Sequence, residues 1–170
     1  GQSHLVGHSL GGAVAADYIL SGRENIFDKV ILASPLVRCR FGRLLKFGFG
    51  LCRPLRRDLP RIFRRNSGDG EFLEFIRSKD PLRIRAIPAE WVEALYKWED
   101  KIADYKTAHR SVKIIQGTSD TTLDWRFNIG LLQSKFVNAE VSLIRNARHE
   151  LFNESADIRV GAFSQISNWL

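Results

Sequence analysis

The stretch that most restricts what this chain can fold into is Leu5-Val6-Gly7-His8-Ser9-Leu10-Gly11-Gly12. A short apolar run leads into the pattern G-x-S-x-G, and small residues follow at Gly12, Ala13, Ala15 and Ala16. That order predicts a buried strand, a sharp turn and a helix packed close to a sheet, with a serine on the strained strand-to-helix turn. Gly7 and Gly11 are expected where a side chain would collide with neighbouring backbone. Ser9 then projects its hydroxyl at the carboxyl end of the sheet. The backbone N–H of Leu10 opens the helix and faces the oxygen of an approaching substrate.

The rest of the chain repeats the strand–helix alternation, with one interruption. The first strand is read over 3–6 and the first helix from Leu10 to about Leu20, closed by Ser21-Gly22. Val30-Ile31-Leu32-Ala33 is a continuous apolar run of the kind found in parallel strands buried on both faces. Between Leu36 and about Ala108 no strand pattern is expected. Pro54 and Pro60 divide its first part into short helices, Asn66 to Gly70 is a loop, and Glu71 to Ser78 is a short helix. Pro88 opens a long helix. Its apolar face is Trp91, Leu95, Trp98, Ile102 and Tyr105, read as core packing with a substrate wall as the alternative. On the outer side Glu93 and Lys97 are spaced to pair. Strands return at Val112–Gln116 and Val141–Ile144, with helices from Trp125 to about Val137 and at the carboxyl terminus.

The net charge of +7 is concentrated in that interruption. Ten basic residues from Arg38 to Arg65 face Asp58 alone, a local +9, and the remainder of the chain carries −2. The arginines are mixed with Phe41, Leu44, Leu45, Phe47 and Phe49. That mixture favours an amphipathic surface over a phosphate track, so no nucleic-acid partner is expected and an anionic membrane surface is. Cys39 and Cys52 are too few and too far apart for a zinc site or a disulfide framework, and are read as reduced thiols in a helical region. No apolar run is long enough to span a bilayer. The absence of Met and the opening almost inside a strand are read as marks of a fragment.

A parallel sheet places its active groups at the carboxyl ends of its strands. Three such ends carry Ser9, Asp120 and His149, in the order nucleophile, acid, histidine. Ser9 is the candidate nucleophile, His149 the base that takes its proton, and Asp120 the acid that holds the imidazole tautomer. Asp124 is a rival acid, but it immediately precedes the helix at Trp125, where a capping carboxylate is favoured. Of the other histidines, His4 lies within a strand, His8 is the variable position of the turn, and His109 precedes a strand. His4 and His8 span a strand and a turn rather than one helix face, so no metal site is expected.

The segments Gly7-His8-Ser9-Leu10-Gly11-Gly12, Gln116-Gly117-Thr118-Ser119-Asp120 and Ala147-Arg148-His149-Glu150-Leu151 resemble the α/β-hydrolase superfamily. They are especially similar to its monoacylglycerol lipase and lysophospholipase branch, the serine aminopeptidase or "hydrolase 4" group. The resemblance covers the whole chain as the C-terminal part of a member. It implies an α/β-hydrolase fold with a helical cap: residues 1–35 and 109–170 form the core and 36–108 the cap. It implies Ser9, Asp120 and His149 as the triad and Leu10 as one oxyanion donor, the second lying in a missing early loop. The implied activity is serine hydrolysis of carboxylic esters, lipid esters foremost, through an acyl-enzyme without metal or cofactor. The implied location is cytoplasmic or peripheral to a membrane, and the fragment alone is expected to be inactive. A non-catalytic lipid-docking module is the alternative reading.

Overall fold

The computed structural model describes residues 1–24, 26–53 and 57–170, together with the backbone but not the side chain of Cys52. The elements run in the order β1 (His4–His8), α1 (Leu10–Leu20), β2 (Lys29–Ala33), α2 (Gly42–Cys52), β3 (Asp58–Pro60), α3 (Gly70–Glu74), β4 (Ala86–Pro88), α4 (Ala89–Asp104), β5 (Ala108–Gly117), α5 (Trp125–Lys135), β6 (Phe136–Ile144) and α6 (Ala156–Ser167). Four strands form one sheet in the order β1-β2-β5-β6, and every pairing is parallel.

The apolar run at 30–33 lies in the middle of this sheet, and all four residues are fully buried. Because side chains alternate across a strand, its residues divide between two cores. Val30 and Leu32 join Val112 and Ile114 against α1, α5 and Ile102 of α4. Ile31 and Ala33 join Ile115 against Leu151 and Ala162 of α6. The result is a sheet with helices on both faces, the arrangement that near-continuous apolar strands require.

The expected elements of the core are present, with shifted limits. β1 continues through His8, two residues past the expected end. α5 stops at Lys135, and β6 begins at once at Phe136, five residues before the expected strand. β6 is an edge strand with exposed polar positions such as Asn138, so its first half has no apolar run to reveal it. His109, expected ahead of a strand, lies inside β5.

The interruption differs more. Residues 36–108 contain an antiparallel pair, β3 with β4, in the register Asp58↔Pro88, Leu59↔Ile87 and Pro60↔Ala86. Three-residue strands with a proline in each carry no alternation long enough to read, and proline is tolerated there because the pair has only edges. Pro60 therefore sits in a strand rather than ending a helix, while Pro54 lies outside the described residues. α3 begins at Gly70, with the Asp69 carboxylate accepting the N–H of Phe72 at 3.0 Å, and continues into a π-helical turn at Phe75–Lys79. α4 follows Pro88 as expected, and Glu93 pairs with Lys97 at 3.3 Å. Cys39 is a free thiol that precedes α2.

Arg38, the first of the basic residues read as an amphipathic surface, is instead largely buried. Its guanidinium lies 2.7 Å from Glu99 of α4 and stacks 3.3 Å from the Phe127 ring centroid of α5. The Trp98 indole N–H donates to the Leu36 carbonyl at 3.1 Å. These contacts fasten α4 across α1 and α5. Trp98 and Leu95 pack there with Ala13, Leu36 and Leu123, while Trp91 remains 40% exposed.

Candidate active site

The turn after β1 forces Ser9 into φ 54°, ψ −115°, a conformation that L-residues rarely adopt. Neighbouring backbone fixes it there. The Ser9 N–H donates to the Ala33 carbonyl at 2.9 Å, and the Ser9 carbonyl accepts the N–H groups of Gly12, Ala13 and Leu36 at 3.0–3.2 Å. A Cβ on Gly7 would lie 2.4 Å from the Gly11 carbonyl oxygen, so only glycine fits there. Gly11 does not have the expected steric role, since a Cβ built on it meets nothing within 4 Å. The second tight approach is at Gly12, 3.0 Å from the Pro35 Cα. Leu10 is the first residue of α1, where a backbone N–H has no acceptor within its own helix.

β5 and β6 deliver the other two residues. The loop after β5 is laced to the loop after β6: Thr118 N–H donates to the Ile144 carbonyl at 3.0 Å and Ser119 N–H to the Ala147 carbonyl at 2.8 Å. Gly117 permits this approach, because its Cβ would meet the Ala147 oxygen at 2.4 Å. Asp120 and His149 are both buried.

The structure brings Ser9, His149 and Asp120 into one hydrogen-bonded chain. His149 Nε2 lies 2.8 Å from Ser9 Oγ, and His149 Nδ1 lies 2.9 Å from Asp120 Oδ2. Asp120 Oδ1 accepts the N–H groups of Thr122 at 2.7 Å and Leu123 at 3.1 Å. Burial pushes the Asp120 carboxyl up, but the hydrogen bond and charge of His149 and the two backbone donors outweigh it, so it lies below the ordinary carboxylate value. An ionised carboxylate only accepts, so Nδ1 carries the proton and Nε2 accepts from the Ser9 hydroxyl.

Asp124 does not join this chain. It occupies the position before α5, but its side chain makes no capping hydrogen bond; its backbone N–H donates to the Arg38 carbonyl at 3.0 Å instead. Two contributors carry no signal in the sequence. Gln116 donates from Nε2 to Asp120 Oδ2 at 3.1 Å. His8 donates from Nε2 to the backbone carbonyl of His149 at 3.0 Å, across 141 positions of sequence. Burial lowers the His8 pKa, and this hydrogen bond only partly opposes it. Beside Leu10, an apolar groove of about 400 Å³ runs between α1 and α4, lined by Val14, Trp91, Leu95 and Trp98 among others.

A parallel sheet with helices on both faces and a serine on the strand-to-helix turn after β1 is the α/β-hydrolase architecture. The family model for serine aminopeptidase, S33, matches residues 2–156, and the chain belongs to that family. Among solved structures, it is similar to a soluble variant of monoglyceride lipase from Saccharomyces cerevisiae in complex with a substrate analogue. That match has a TM-score of 0.79 at 18% identity, over 96% of this chain and 59% of the lipase. Monoacylglycerol lipase from Paleococcus ferrophilus matches with a TM-score of 0.76 at 19% identity, over 99% of this chain and 67% of the other. An esterase domain from a Rhodothermus marinus protein matches at 0.56 and 17%, over 98% and 60%. At such identities the likeness is one of fold. A search of curated proteins finds no significant match.

Proposed function

We propose that the protein is a serine hydrolase of carboxylic esters that uses Ser9, His149 and Asp120. The observation that carries this reading is the continuous hydrogen-bonded chain from Ser9 Oγ through the imidazole to Asp120. Ser9 Oγ attacks the ester carbonyl carbon while His149 Nε2 takes the hydroxyl proton. The carbonyl oxygen gains negative charge, and the Leu10 N–H at the start of α1 donates to it. The imidazolium is held by Asp120 and then protonates the departing alkoxide, leaving an acyl group on Ser9. Water, deprotonated by the same imidazole, releases the acid and restores the serine.

Lipid esters are the substrates this reading favours. The groove beside Leu10 is apolar, which suits an acyl chain. The neighbours of known fold include two lipases that act on monoglycerides by name. On this reading residues 36–108 form the cap over the site, and α2 with the exposed arginines beside it faces an anionic lipid surface.

The test is covalent labelling of the full-length protein with a fluorophosphonate, followed by peptide mapping. The label is expected on Ser9, and Ser9→Ala should abolish both labelling and hydrolysis of a long-chain monoacylglycerol while the far-UV spectrum is unchanged. Labelling of another serine in the variant overturns the assignment. A folded wild-type protein that takes no label supports a non-catalytic lipid-binding module.

A further inference from the structure

The loop that carries His149 is held by a carboxylate outside the hydrogen-bonded chain. Glu154 is fully buried. Its Oε1 accepts the N–H of Arg148 at 2.7 Å, and its Oε2 accepts those of Gly68 at 2.6 Å and Ser155 at 3.2 Å. A buried carboxylate is costly unless its oxygens are satisfied, and short bonds from N–H groups to an ionised acceptor are among the stronger ones. A Cβ on Gly68 would sit 2.5 Å from Oε2, so a side chain there would force the carboxylate to shift.

Further bonds join the same two segments. The Glu150 N–H donates to the Asn66 carbonyl at 2.9 Å, and Asn66 Nδ2 donates to Glu150 Oε1 at 3.1 Å. The Ser67 hydroxyl, in a buried residue, donates to the Asn153 carbonyl at 2.6 Å. The peptide N–H on each side of His149 is therefore engaged: that of Arg148 by Glu154, and that of Glu150 by Asn66. His8 holds the carbonyl between them.

We infer that Glu154 is a positioning residue for the His149 imidazole. By gripping Gly68 and the Arg148 peptide at once, it makes the seating of the 65–69 segment part of what keeps Nε2 within reach of Ser9. The inference rests on the catalytic reading of Ser9 and His149. A misplacement of about 1 Å can cost on the order of 10²-fold in rate, and the carboxylate bears directly on the N–H of Arg148, the residue before His149.

The experiment compares wild-type full-length protein with Glu154→Gln and Gly68→Ala, which disturb the same contact from its two sides. Leu132→Ala, a truncation on the buried face of α5, serves as a control for lost stability alone. Fluorophosphonate labelling rate, kcat and KM for a water-soluble p-nitrophenyl ester, and the downfield proton resonance of His149 Nδ1–H are measured on folded protein. In Glu154→Gln and Gly68→Ala, labelling and kcat are expected to fall by roughly 10²-fold with KM little changed, and the resonance to shift or broaden. Leu132→Ala should lower the melting temperature and leave all three at wild-type values. Should Glu154→Gln fail to fold, Gly68→Ala carries the same expectation. Wild-type labelling rates with an unmoved resonance in the folded variants overturn the inference. If the wild type takes no label at Ser9, the catalytic reading fails instead, and the resonance alone decides whether Glu154 positions His149.

Discussion

Ser9 is a non-glycine residue at positive φ, a conformation that costs on the order of 1–3 kcal/mol and persists only where its surroundings over-determine it. Here four backbone hydrogen bonds hold it, and the strain points the hydroxyl at the imidazole. Asp120 is distinguished from Asp124 by what each carboxylate touches. Asp120 accepts from His149, Gln116, Thr122 and Leu123, whereas Asp124 makes no side-chain capping bond. Asp120→Asn in the full-length protein should therefore lower turnover by on the order of 10⁴, as loss of the tautomer does in serine proteases. Asp124→Asn should leave turnover within a factor of a few, and a reversal of the two in a steady-state assay would reject the assignment. His8 makes a second, pH-dependent prediction. Its ring faces His149 and Phe152, and the charges of Glu150 and Asp120 favour its protonated form, yet burial holds its pKa below 6.5. The unfolded chain then takes up this proton first as pH falls. The stability that neutral His8 contributes is fully present above about pH 6.5 and is lost as pH drops towards the folded value. Denaturant unfolding between pH 7.5 and 5.5 should show a shallower loss in His8→Gln, which keeps a donor for the His149 carbonyl, than in the wild type. Parallel slopes would remove His8 from the account.

The β1–α1 turn shows how an element can be specified by one glycine and merely permit another. Gly7 lies against the Gly11 carbonyl, so its replacement forces backbone apart; Gly11 projects into open space at the start of α1. Gly7→Ala should destabilise by roughly 1–3 kcal/mol, the range for overpacked sites. Gly11→Ala should be neutral or stabilising by up to about 1 kcal/mol, since alanine is the better helix former. Thermal melts of the two variants decide it, and a Gly11→Ala loss as large as that of Gly7→Ala would show that the second glycine is steric after all. α4 is an element whose sequence pattern and packing agree over most of its length. Ile102 is buried and Trp98 packs into two clusters, while the aromatic face opens only at Trp91, beside the groove.

At the scale of the molecule, the basic segment is less uniform than its charge suggests. Arg38 is held by Glu99, Lys46 by Asp100, and Arg53 by Glu90 and Glu93. Arg40, Arg43, Arg57, Arg61, Arg64 and Arg65 are exposed, and Arg56 lies outside the described residues. Next to them α2 exposes Leu44, Phe47 and Leu51 along one side, with Phe41 just ahead of it. A basic surface with apolar side chains can lie in a headgroup layer, each cation contributing about 1 kcal/mol near an anionic leaflet. Among the described residues no helix is long and apolar enough to cross a membrane. The full-length protein is expected to co-sediment with anionic but not neutral vesicles, less so as salt rises, and Arg61, Arg64 and Arg65 changed together to Gln should weaken it. Equal sedimentation with neutral vesicles, or none at low salt, would reject the surface as a membrane contact.

The order of elements in the core and the residues of the hydrogen-bonded chain were legible in the sequence because both depend on local pattern. An apolar run, a turn and a small-residue helix mark β1 to α1, and a strand end marks where Asp120 and His149 fall. Four matters were settled only by tertiary structure. The β3–β4 pair is too short to have a period and forms because two distant segments meet. Arg38 reads as one more surface arginine until Glu99, 61 positions away, and the Phe127 ring enclose it. Gly11 reads as steric until the space beside it is seen to be open. The supports of the imidazole, His8 and Glu154, are ordinary polar residues in sequence, and their partners lie 141 and 86 positions away. Period and turn chemistry act over a few residues, whereas burial and long-range hydrogen bonds exist only once the chain has closed on itself.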